Sequence, residues 1–155
     1  MQNLPMLKGY RVLDIGQFVA APTCTRILAE MGAEVIKLEL APFGDRGRFS
    51  GDKPRDPDLK KTSQSTYYFQ HNHSKKSLAV DIKQERGRAL IYALMPKVDV
   101  VVENFAPGVM ARAGLGPQPG QGQRRAPLPR TVDLDGLSSH SARHPRPAQK
   151  GRTSY

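Results

Sequence analysis

Short apolar runs alternate with amphipathic stretches along the first three quarters of the chain, and then the alternation stops. Arg11-Val-Leu-Asp-Ile15 is a compact apolar run that predicts a strand, followed by Gly16 and a loop to Ala21. Pro22 suits the first residue of a helix, where its missing N–H leaves no bond unmade. Ile27, Leu28 and Met31 then fall on one face at helical spacing, and Gly32 stands where a C-terminal cap is expected. Glu34-Val-Ile-Lys-Leu-Glu39 reads as a second strand. Strand, helix and strand in that order imply a parallel sheet.

From Ala41 to Thr66 the chain is polar and rich in Gly, Pro, Asp and Lys, which predicts a long functional or mobile loop. Apolar character restarts at Tyr67-Tyr-Phe69. Ser77 to Ile82 predicts a strand and Gln84 to Met95 a helix, with Leu90 over Leu94 and Ile91 over Met95. Gly87 inside that helix costs about 1 kcal/mol relative to alanine, and Pro96 stops it. Val98-Asp-Val-Val-Val-Glu103 has the composition of a central parallel strand buried on both faces. Ala106-Pro-Gly108 opens a short helix towards Arg112 that Gly114 ends. The expected fold class is α/β: an incomplete Rossmann-like parallel sheet with flanking helices, spanning residues 1–116. Such sheets bind ligands at the carboxyl ends of their strands, here Gly16 to Pro22 and Asn104 to Gly108.

Residues 117–155 hold six of the thirteen prolines and show no apolar repeat at either period. They predict a disordered, basic C-terminal tail. The formal charge of +10 divides equally, because 117–155 has seven Lys or Arg against two Asp or Glu, and 1–116 has seventeen against twelve. Half of the excess therefore sits on the unpatterned tail. Nucleic-acid binding through that tail ranks last among the functions considered, since Tyr155 is its only aromatic.

A single cysteine, Cys24, rules out an intrachain disulfide and fits a reducing, cytoplasmic setting. No stretch approaches the roughly 20 apolar residues of a membrane span, and Met1 to Tyr10 has no signal-peptide core. Neither a glycine-rich dinucleotide loop nor a Walker-type phosphate loop follows the first strand. His71 and His73 lack the further ligands a metal needs, and Cys24 reads as a small buried residue rather than a reactive thiol. The basic residues Lys75, Lys76, Lys83 and Arg112 read either as a solvated surface or as a cluster for a phosphate-bearing ligand.

Several segments resemble the family III CoA transferases, the carnitine dehydratase and bile-acid-inducible (CaiB/BaiF) group. They are Val12-Leu-Asp-Ile15 with Ala20-Ala-Pro22, Met31 to Glu39 with Gly44-Asp45, Ser74 to Lys83, and Val101 to Met110, in family order and spacing. The resemblance implies CoA or acyl-CoA as substrate, a carboxylic acid as second substrate, an interlocked homodimer, and no metal. It implies cofactor contacts at Val19 and Ala20 through the backbone, and at Val80, Asp81, Ile82 and Lys83 around the adenosine and phosphates. It implies further contacts at Asn104, Phe105, Ala106 and Arg112, with Gln17 near the thioester. Asn104 resembles the transferase branch more than the α-methylacyl-CoA racemases. Leu40 departs from the pattern, since that position is often an arginine that touches CoA.

In the family an aspartate attacks the thioester to give a mixed anhydride, CoA passes to and from the aspartyl group, and the new acid leaves as its CoA ester. Its sequence setting lies beyond the matched region. Asp133 and Asp135 are the only carboxylates after Gly116 and do not resemble it. The expectation is a family member altered after Gly116, by frameshift or early stop, without its nucleophile. The alternatives are a non-catalytic CoA-binding or interaction module and a racemase-like fragment.

Overall fold

The computed structural model describes residues 5–52 and 65–115, and the backbone of residues 130–133. A parallel sheet is its centre. Strand β1 (Arg11–Asp14) lies beside β2 (Glu34–Leu40), with Arg11 opposite Glu34 and Asp14 opposite Lys37. On the outer side of β2 runs β3 (Lys76–Val80), which pairs Leu40 with Val80. On the other side of β1 runs β4 (Val100–Glu103), and beyond it β5 (Arg130–Asp133). The order β3-β2-β1-β4-β5 is that of a doubly wound sheet, and its direction of progression reverses between β1 and β4.

The expected parallel α/β sheet is thus present. One element was not expected: Arg130–Asp133 adds a parallel strand to β4 inside the segment read as unpatterned. Four residues around Val132 are too short to show a period, so pairing with a valine-rich neighbour decides their conformation. The rest of the predicted tail lies outside the described residues.

Helices cover both faces. Helix α1 (Ala20–Glu30) lies over Val12, Val35 and Val102. It starts two residues earlier than expected, so Pro22 occupies its third position, still inside the first turn where the N–H is dispensable. At its other end Gly32 adopts φ +101°, Gly32 N–H donates to Ala29 O and Ala33 N–H to Leu28 O. This double bond pattern closes the helix and turns the chain into β2. Helix α2 (Thr66–Asn72) packs against α1 and begins where the expected loop ends, over the apolar restart at Tyr67–Phe69 to which the sequence assigns no element. It is capped by Ser65, whose hydroxyl accepts the Tyr68 N–H at 3.0 Å.

On the opposite face, helix α3 (Glu85–Leu94) buries Ile91 against Leu13, Leu38 and Val101. Gly87 is explained here: a Cβ on it would lie 2.0 Å from the Asp81 carbonyl oxygen, so only glycine lets the helix pass so close to the end of β3. β3 stops at Val80 rather than Ile82 because the Asp81 carboxylate accepts the Lys83 N–H at 2.9 Å and turns the chain. β4 starts at Val100 rather than Val98, after a 3₁₀ turn over Met95–Lys97. The short helix α4 (Val109–Arg112) follows Gly108, as expected.

Leu13 is 0% exposed on the central strand. Leu13→Ala is expected to lower unfolding stability by about 2–5 kcal/mol, read from urea denaturation of the full chain.

Candidate functional site

The carboxyl end of the sheet rests on buried charge. Lys37 is 1% exposed, and Asp14 and Asp45 are equally enclosed. The Lys37 ammonium lies 2.7 Å from Asp45 Oδ2 and 3.6 Å from Asp14 Oδ1, and it donates to the Gly16 carbonyl. Asp14 Oδ2 accepts from the Thr25 hydroxyl at 2.7 Å and from the Lys75 ammonium at 2.9 Å. Lys75 uses its remaining donors on Pro22 O at 2.8 Å and Asn72 Oδ1 at 3.0 Å. Burial pulls the Lys75 ammonium down to about 8, against the pull of Asp14 in the other direction. Two lysines and two aspartates therefore neutralise one another inside the fold.

A third buried carboxylate extends this floor. Glu39 is held in a two-point pair by Arg48, with both contacts at 2.6 Å, and accepts from Tyr68 Oη at 2.8 Å and Ser77 Oγ at 2.7 Å. Burial pushes its carboxyl up, but the hydrogen bonds from Arg48, Ser77 and Tyr68 outweigh it and bring Glu39 to about 2. The Arg48 guanidinium also lies 3.8 Å from the centre of the Tyr68 ring.

The loops that follow β1 and β4 meet where the sheet order reverses. The Asn104 side chain, just after β4, accepts the Gln17 N–H at 2.8 Å and donates to the Gln17 carbonyl at 3.0 Å. Gly16 makes that approach possible, because a Cβ there would lie 2.6 Å from Asn104 Oδ1 and 2.1 Å from Ala21 Cβ. Phe18 follows at φ +70°, a strained conformation for an aromatic residue that costs about 1–3 kcal/mol. Its N–H donates to Asp45 Oδ1 at 3.1 Å. Val19 precedes α1 in the cap position and supplies no side-chain cap.

The residues predicted to meet a ligand fall into related groups. Val19 and Ala20 are exposed at the start of α1. Ile82 and Phe105 pack on the same Leu13 core, which sets the segments 80–83 and 104–112 on one face. Val80 is buried beneath them; Lys83, Ala106 and Arg112 are exposed. Asp81 is engaged within its own turn, accepting from Lys83 N and from Gln84 Nε2 at 3.1 Å. The Asn104 amide is spent on Gln17, so this residue joins the two groups and holds the loop. Leu40, at the position of the family arginine, lies beside Val80 at the carboxyl end of the sheet.

The basic cluster is not one. Lys75 is internal, and Lys76 pairs with Glu34 at 2.6 Å, so neither the solvated-surface nor the ligand reading holds for Lys75. Sequence reasoning missed the Asp14–Lys37–Asp45 floor. Its signal was present, since Lys37 and Glu39 lie two apart among the apolar residues Val35, Ile36, Leu38 and Leu40. His71 turns to the Thr23 hydroxyl at 3.0 Å and His73 to Glu30 at 3.3 Å. Among the described residues no group of His, Cys, Asp and Glu could hold a metal ion, and no helix is long and apolar enough to cross a membrane. Burial raises the Cys24 thiol above its ordinary value, which disfavours a thiolate.

The strand order and the helices on both faces define a doubly wound α/β fold. Residues 7–124 match the model of CoA-transferase family III, and the chain belongs to that family. It is 42% identical over 111 residues to a formyl-CoA:oxalate CoA-transferase of Afipia carboxidovorans, covering 70% of this chain and 24% of that protein. It is 41% identical over 116 residues to a human succinyl-CoA:glutarate CoA-transferase, covering 75% of this chain and 25% of that one. The crystal structure of hypothetical protein Rv3272 from Mycobacterium tuberculosis superposes with a TM-score of 0.60 at 40% identity, over 72% of this chain and 28% of that one. The chain spans about a quarter of the length of the curated relatives it matches.

Because Glu39 sits at about 2 rather than the ordinary 4.5, its ionised form stabilises the fold above pH 4.5, and this is lost as pH falls towards 2. The expected loss is about 2–3 kcal/mol, read from urea midpoints across that window. Glu39→Gln should remove this part of the acid sensitivity; an unchanged pH slope would refute the assignment.

Proposed function

We propose that this chain forms the coenzyme A-binding portion of a family III CoA transferase, whose reaction moves CoA between an acyl thioester and a carboxylic acid. The observation that supports this most directly is the loop junction at the β1/β4 reversal, where the Asn104 amide holds the Gln17 backbone by two hydrogen bonds. Doubly wound sheets take nucleotide-like ligands at that place.

In this reading the exposed backbone at Val19 and Ala20 lies along the pantetheine arm, and the Gln17 side-chain amide faces the thioester. Val80 to Lys83 receive the adenosine end, with Asn104 to Ala106 as the opposite wall. Lys83 and Arg112 meet the phosphates as exposed cations. The interlocked homodimer implied by the resemblance is part of the same proposal.

The relatives named for formate and oxalate and for succinate and glutarate are similar to this chain to nearly the same degree, 42% and 41%. What they share here therefore concerns CoA, and the acid is left open. No residue in 117–155 resembles the setting of the family nucleophile, so the proposed role of this chain by itself is binding without group transfer.

Titration calorimetry of the full chain with free CoA tests this. The expected dissociation constant is on the order of micromolar, and Asn104→Ala should weaken it about tenfold or more. No heat of binding would sink the proposal. Formation of a new acyl-CoA from an acyl-CoA and an acceptor acid, by this chain alone, would sink its non-catalytic half.

A further inference from the structure

The loop between β1 and α1 holds a conformation that its own sequence disfavours. Phe18 sits at φ +70°, where an aromatic side chain crowds its own backbone. Its hold comes from the neighbouring turn. Asp45 Oδ1 accepts the Phe18 N–H at 3.1 Å and the Gly47 N–H at 2.7 Å. The Phe18 ring packs on Tyr67 with centroids 5.1 Å apart. Tyr67 belongs to α2, whose capping Ser65 donates to the Gly47 carbonyl at 2.6 Å. Both contacts of Phe18 therefore trace back to the Asp45–Gly47 turn. Asp45 is itself fixed by Lys37 at 2.7 Å.

We propose that Asp45 is a positioning residue for the β1–α1 loop: by holding the Phe18 N–H it keeps the loop in its left-handed conformation, so that Val19 and Ala20 face the ligand. The ligand named here rests on the CoA reading above; the clamp does not. Asp45 is 1% exposed and lies beneath the loop, so its action on a ligand passes through the Phe18 backbone. A residue with φ near +70° returns to the ordinary negative region when its restraint goes, and this swings the peptide that leads into α1.

The test uses the full chain, with calorimetry against free CoA and hydrogen exchange at the Phe18 amide. Asp45→Ala should weaken CoA binding about tenfold. Asp45→Asn keeps one oxygen for the Phe18 N–H but turns its NH2 towards the buried Lys37 ammonium, so it should bind CoA more tightly than Asp45→Ala and less tightly than the unaltered chain. Phe18→Gly in the Asp45→Ala background should restore binding to within about threefold, because glycine adopts positive φ without a clamp. If Phe18→Gly leaves the loss unchanged, Asp45 serves only the buried charge and the proposal is overturned.

A further measurement does not need Asp45→Ala to fold. In the unaltered chain the Phe18 amide should exchange at least about a hundredfold more slowly than in an unstructured peptide. A chain that binds CoA with an unprotected Phe18 amide overturns the positioning role alone. A chain with a protected amide that does not bind CoA overturns the ligand reading, and with it the part of Asp45 in binding.

Discussion

A lysine ammonium with no access to water organises this fold. Lys37 lies in the middle of β2, opposite Asp14 on β1, and reaches forward to Asp45 in the loop that follows. An isolated charge in such a place would cost many kcal/mol. The chain avoids that cost by bringing two carboxylates and a carbonyl to it, and by balancing the second aspartate interaction with Lys75. Removing one member would leave an uncompensated charge, so the group stands or falls as a unit.

Stability alone does not account for such an arrangement. Buried ion pairs replaced by well-packed apolar side chains are often neutral or better. What apolar side chains cannot do is hold backbone polar groups. Here Asp14 takes the Gly16 N–H, Lys37 the Gly16 carbonyl, Lys75 the Pro22 carbonyl, and Asp45 the N–H groups of Phe18 and Gly47. Apart from Gly47, which lies in the turn of Asp45 itself, the groups so tied belong to the segment that leaves β1 and enters α1, at the end of the sheet where doubly wound folds take ligands. The buried charge thus converts strand register into the shape of a loop.

The strands and the long helices were legible in the sequence because each answers to a local rule. Valines at 100 to 102 mark a buried strand, Gly32 marks a helix end, and Leu90 to Met95 repeat at helical spacing. Helix α2 was not legible, since seven residues with adjacent aromatics show no apolar stripe and its signal reduces to the Ser65 cap. β5 was not legible, because four residues show no period and what marks them as a strand is pairing with β4. Gly87 was read as a cost when it is a requirement of close packing. Lys75 was misplaced for a deeper reason. Sequence gives the charge of a side chain but not the location of its partner, and Asp14 lies sixty-one positions away.

The same distinction decides which cations remain for an anionic ligand. Arg48 is exhausted by Glu39 and by the Tyr68 ring, and Lys37 and Lys75 by the aspartates. Lys76 pairs with Glu34, and Arg88 donates to the carbonyls of Ile82 and Lys83. A phosphate competing for any of these would have to break a satisfied bond, and for the buried ones it would also have to reach a dry interior. Lys83 and Arg112 are exposed on the face shared by the segments 80–83 and 104–112. A cation that meets phosphate in water gives up no internal partner, so among the described residues Lys83 and Arg112, with the exposed Arg86 beside Val80 and Asp81, are available for electrostatic attraction on this face.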